Sequence, residues 1–167
     1  MMKIWGRRAA TVTGYVLAWM VVVVTLPVSL LLAFAVDVVR RNRLATVRAV
    51  LMAAVFLSCE MIGIVTSLLI WLFSFVWFGG DKERFMRWNF NLQQWWIRTL
   101  FASAQRIYRL KLEVTGDNIE TGPVIVFIRH TSLADTMLPA ALFSRQKGDK
   151  QGLMLRYVLK RELLWDP

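Results

Sequence analysis

The chain has 167 residues, 57% of them hydrophobic, with 21 basic against 11 acidic side chains for a formal net charge of +10. So apolar a composition excludes an ordinary soluble domain and puts membrane association first, while the length suits one compact domain plus appendages. The basic surplus carries no nucleic-acid-binding signature, so the expected partners are membrane lipids with anionic headgroups, or a phosphorylated substrate, and no nucleic acid.

In chain order, the first element is residues 9–36, a run of 28 residues without a charge, preceded by Lys3, Arg7 and Arg8. Ala33-Phe34-Ala35 has the small-x-small form of a signal-peptide cleavage site. A secretory apolar core, however, runs only about 7 to 15 residues. The stretch is therefore read as a retained span, with slack for tilt or for a kink at Pro27, since roughly 20 residues cross the hydrocarbon. Residues 37–48 form a basic loop with Arg40, Arg41, Arg43 and Arg48.

A second apolar stretch, residues 49–78, is interrupted only by Glu60. At 1.5 Å per residue it reaches roughly 45 Å, beyond a hydrocarbon core of ~30 Å. Either the helix tilts strongly or only residues 61–78 lie deep, with Glu60 near an interface, reaching water or paired with an arginine. An acid within the membrane is otherwise a functional candidate. Cys59, the single cysteine, excludes an intramolecular disulfide and a multi-cysteine metal site, and is read as packing. Lys and Arg flank both stretches. If both cross and the C-terminal part is cytosolic, the four-arginine loop falls outside, against the positive-inside tendency. A hairpin that dips in without crossing relieves that conflict, and the sequence accommodates both arrangements.

Gly79-Gly80-Asp81 breaks the apolar pattern and opens a third element, residues 82–110. Arg84, Arg87, Asn91, Gln94, Arg98, Gln105 and Arg109 recur at helical spacings, with Phe85, Trp88, Leu92, Trp95, Trp96, Leu100 and Ile107 between them. This is an amphipathic helix that can lie in the membrane interface or pack on a catalytic domain. From residue 110 the character changes to that of an α/β domain. Residues 111–115 alternate as a strand, residues 124–128 form a second, residues 133–144 a helix, and residues 156–164 a third strand or a strand and turn. The expected organisation is a membrane-anchoring region with two hydrophobic helices at 1–80, an amphipathic interfacial helix at 81–110, and the N-terminal part of an α/β catalytic domain over 111–167.

The chemistry-bearing stretch is PVIVFIRHTSLADTMLP, in which an apolar run delivers Arg129 and the only histidine, His130, with Asp135 five residues on. In a regular helix those two side chains stand about 140° apart. A turn at Thr131 and Ser132 lets them cooperate. The carboxylate then fixes the imidazole tautomer and leaves the other ring nitrogen as a base able to deprotonate a hydroxyl. A capping turn whose polar residues satisfy one another is the plainer reading of the same residues. Ser132 as the nucleophile of a hydrolase is a third, with no G-x-S-x-G elbow to support it.

The hexad HTSLAD, preceded by LEVTGDNIETG and PVIVFIR and followed by YVLKRELLWDP, resembles the glycerolipid acyltransferase family, which includes 1-acylglycerol-3-phosphate acyltransferases. The resemblance covers residues 110–167. It implies a membrane-bound enzyme that moves an acyl group from an acyl-CoA or acyl-carrier protein donor to the hydroxyl of a lysophospholipid acceptor. His130 is implied as general base and Asp135 as its orienting partner. Lys160 matches the lysine of the later block and is implied in binding the acceptor phosphate, with Arg161 a second candidate. Arg129 stands where the family commonly has asparagine and is a further candidate for phosphate contact. No cofactor or metal is implied, the acyl donor being a co-substrate. The implied location is the cytoplasmic membrane of a bacterium, with the catalytic part on the cytosolic side. The family's later glycine-and-arginine and Glu-Gly-Thr-type blocks have no counterpart here, so a truncated, non-catalytic membrane-binding module is the alternative expectation.

Overall fold

The computed structural model describes residues 2–76, 79–113, 115 and 138. Three helices run in order: α1 (Met2–Val39), α2 (Ala45–Val76) and α3 (Lys82–Tyr108). With 38 and 32 residues, α1 and α2 extend roughly 57 and 48 Å. Both are long and apolar enough to cross a membrane, and only 6% of the apolar window of each is buried within the protein. A core helix of a soluble protein would be mostly covered. Leu17, Val21, Val24, Leu31 and Leu32 on α1, with Val65, Leu68, Leu72 and Phe75 on α2, instead face outward. That apolar surface associates the chain with a membrane.

Helix α1 continues through Pro27 and is longer than its uncharged run because it begins at Met2 and runs past Asp37. Its end is set by Arg41, which takes the left-handed conformation (φ 51°). The Asn42 N–H then donates to the Asp37 carbonyl at 2.9 Å and the Arg41 N–H to the Val38 carbonyl at 3.2 Å, the two bonds of a Schellman motif. The carboxylate of Asp37 meanwhile accepts from the N–H groups of Thr46 (3.0 Å) and Val47 (2.9 Å). Helix α2 is thus capped by a residue of the helix before it. With Asp37 only 1% exposed, the turn and the antiparallel pairing of α1 and α2 are fixed together.

Gly79 and Gly80 (φ 62° and 81°) make the second turn in a conformation that favours glycine, and the Gly80 N–H reaches back to the Ser74 carbonyl at 2.9 Å. Asp81 then caps α3 through the N–H groups of Glu83 and Arg84, and lies 3.6 Å from the Arg84 guanidinium. Helix α2 packs against both of the others. Trp19 on α1 donates from Nε1 to Ser58 Oγ at 3.3 Å. Ile97 and Leu100 bury the inner face of α3, each stabilising by about 1.5–3 kcal/mol relative to exposure in water.

The expected α/β architecture is corrected by this structure: every regular element among the described residues is helical, and residues 111–113, assigned to a first strand, pair with no strand. A strand exists only through its ladder to a neighbour. The chain leaving α3 at Arg109, again left-handed (φ 56°), exposes Leu110 and meets no ladder partner among the described residues. The second strand, the following helix and the third strand, at 124–128, 133–144 and 156–164, lie outside the described residues except at Leu138, which is helical.

The two capping carboxylates differ in burial, which separates their expected effects. Replacing buried Asp37 by Ala removes the caps of two N–H groups and the tie between α1 and α2. It is expected to lower stability by about 1–2 kcal/mol, whereas Asp81→Ala at an exposed cap costs about 1 kcal/mol or less. Thermal unfolding of the full chain in detergent, followed by far-UV circular dichroism, checks the order of the two midpoints.

Candidate functional site

Helix α3 follows α2 in antiparallel sense from the Gly79-Gly80 turn onward. Trp96 is one anchor of the pairing. Its indole N–H donates to Glu60 Oε1 at 3.1 Å, and its ring meets Phe56 edge-on with centroids 6.5 Å apart. A Cβ added at Gly63 would lie 4.0 Å from Trp96 Cδ1, so the absence of a side chain there lets the ring lie against the α2 backbone. Glu60, expected to reach water or pair with an arginine, is half-buried and accepts a hydrogen bond from an indole. The sequence signals only that an indole N–H on the inner face of a helix needs an acceptor, not which residue supplies it.

Between Trp96 and the turn, α2 and α3 line an open cavity of about 890 Å³, together with the first part of α1. Its walls are mainly apolar, with Ile64, Leu68, Trp71, Phe85 and Phe90 among them, and Arg8, Glu60, Asn89 and Gln93 add polar groups. Asn89 spends one amide hydrogen on the Phe85 carbonyl at 2.8 Å. Cys59 is buried, in keeping with its reading as packing.

The outer face of α3 is different in kind. Arg87, Asn91, Trp95 and Arg98 are exposed, and Arg84 and Trp88 are half-buried beside them. An arginine carried to the centre of a membrane helix costs about 2.5–3.5 kcal/mol on insertion scales. The outer face therefore suits the headgroup layer, where arginine meets phosphate and the tryptophan ring spans the polar boundary. At the opposite end from the α2–α3 turn, Arg40, Arg41 and Arg43 are exposed in the α1–α2 turn. Both ends of the helical unit are basic.

The residues that carry the expected chemistry, Arg129, His130, Asp135, Lys160 and Arg161, lie outside the described residues, as does Ser132. Among the described residues no group of three or more His, Cys, Asp or Glu is placed to hold a metal ion. No family model, no curated protein and no solved structure matches the chain.

The Glu60–Trp96 contact has a checkable energy. Glu60→Leu strands the indole N–H and is expected to destabilise by about 1–3 kcal/mol, while Glu60→Gln keeps an acceptor and costs less. Combined with Trp96→Phe, which removes the donor, Glu60→Leu should lose roughly 1 kcal/mol of its effect, read as the coupling energy of a double-mutant cycle.

Proposed function

We propose that this chain is a membrane-bound acyltransferase that transfers a fatty acyl group from acyl-CoA or acyl-carrier protein to the hydroxyl of a lysophospholipid such as 1-acylglycerol-3-phosphate. The observation that carries the reading is the order of three sequence blocks, PVIVFIR, HTSLAD and YVLKRELLWDP, downstream of two membrane helices and an amphipathic helix. In this reading His130, held in one tautomer by Asp135, takes the proton of the acceptor hydroxyl as its oxygen attacks the thioester carbonyl. The new ester C–O bond forms, the C–S bond breaks, and the proton passes to the departing thiolate. Lys160, Arg161 and Arg129 supply positive charge for the acceptor phosphate. The donor is water-soluble and the acceptor is a lipid. This places the reaction at the membrane surface, and for acyl-CoA or acyl-carrier protein on the cytosolic side.

A membrane-binding module without catalysis is the second reading. It is favoured by the two apolar helices, each long enough to cross a membrane. One assay separates the two. The chain, reconstituted in phospholipid vesicles, is supplied with radiolabelled oleoyl-CoA or oleoyl-acyl-carrier protein and with lysophosphatidate. Transfer that falls by about 10²–10⁴-fold in His130→Ala and in Asp135→Ala, with helicity and vesicle association unchanged, supports the enzyme. Absence of transfer by the wild-type chain, and by a version extended at its C-terminus, assigns the module instead. Ser132→Ala is expected to retain transfer, which separates direct acyl transfer from an acyl-serine route.

A further inference from the structure

The course of α3 along α2 decides between the two membrane arrangements that the sequence leaves open. From the Gly80–Ser74 hydrogen bond to the Trp96–Phe56 ring contact, α3 accompanies α2 over residues 56–74, roughly 27 Å of helix. That is close to the whole hydrocarbon thickness of ~30 Å. Were α2 to cross the bilayer over this length, α3 would cross beside it and carry exposed Arg87, Asn91 and Arg98 through the hydrocarbon. Helix α1 cannot cover these groups, because it packs on α2 and not on α3.

We propose that the helical unit lies along one membrane surface, with the outer face of α3 docked among anionic lipid headgroups and with both turns, residues 40–44 and 79–81, on the same side. Three features of the molecule fit this placement together. Charge complementarity identifies the occupant of the outer face: arginines alternate there with Trp88 and Trp95, the composition of a helix that binds an anionic interface. The apolar side chains left uncovered on α1 and α2, Val21, Val24, Leu68 and Leu72 among them, form the surface that sinks into the leaflet. The two basic ends, Arg40, Arg41 and Arg43 at one and Arg8, Lys82 and Arg87 at the other, then meet the same negatively charged surface, and no cluster is placed against the positive-inside tendency.

The proposal is independent of acyl transfer and is tested by sidedness and depth. In a Cys59→Ala background, single cysteines replace Arg41, Lys82 or Asn91, all exposed positions, with Arg43 and Glu83 as second choices for the turns. The full chain is labelled with a membrane-impermeant maleimide in spheroplasts and in inverted membrane vesicles. All three cysteines should react from one and the same side, with Asn91→Cys within about tenfold of the turn positions. Reaction of Arg41→Cys and Lys82→Cys from opposite sides overturns the proposal. So does protection of Asn91→Cys from both sides, which would mean that α3 crosses under cover of a second chain. As a measurement of depth, a bimane on Asn91→Cys in phosphatidylglycerol-containing vesicles should be quenched more by headgroup spin labels than by chain-end labels, and a bimane on Leu72→Cys the reverse. Deep quenching at position 91 would also refute it.

Discussion

A helix with one apolar face and one strongly polar face limits where every helix packed against it can go. In this protein that helix is α3, and its seam with α2 is the constraint on which the arrangement rests. Ile97 and Leu100 are buried on the helix that packs on α2, the Trp96 indole is held by Glu60 and Phe56, and Gly63 leaves room for the ring. The seam fixes α3 lengthwise, so its arginines travel with α2. A membrane position that suits α2 alone is then unavailable unless it also suits Arg87 and Arg98. Hydrophobicity of a single helix states what that helix tolerates. The seam states what the pair tolerates.

The turns reinforce this coupling. Each is short, and each is closed by a carboxylate that satisfies the first N–H groups of the following helix: Asp37 for α2 and Asp81 for α3. Asp37 is the more consequential, because its carbonyl closes the end of α1 while its side chain opens α2. Buried and fully engaged, it does not belong with the exposed basic groups around it. The surplus of positive charge at this turn is left to the outside, where headgroups can meet it.

The sequence was informative in proportion to how local the determinant was. The two apolar stretches, the Gly79-Gly80-Asp81 break and the amphipathic third helix were legible, because composition and 3.6-residue spacing define them within the segment itself. The C-terminal end of α1 and the start of α2 were not, since they depend on Asp37 reaching across a turn that it helps to form. The pairing of Glu60 with Trp96 was also hidden, being a contact between residues 36 apart in sequence. The strand expected at 111–115 rested on alternation alone, and residues 111–113 have no ladder partner among the described residues. Of the candidate site, the sequence supplies residue types and order at Arg129, His130, Asp135, Lys160 and Arg161 but no geometry, because what brings a base to its orienting acid is tertiary.

The proposed chemistry and the proposed placement bear on each other through one physical requirement. A water-soluble thioester and a lipid hydroxyl meet only where both are accessible, which is the headgroup layer. An anchor that crossed the bilayer would fix the attached segment by a single point of exit and leave its height above the membrane to the connecting chain. An anchor lying along the surface, with the C-terminal end of α3 at headgroup level, delivers the chain beyond Arg109 at the depth where a lysophospholipid presents its hydroxyl. The polar face that prevents α3 from accompanying α2 through the hydrocarbon is then also what sets the level at which His130 and Asp135 would act.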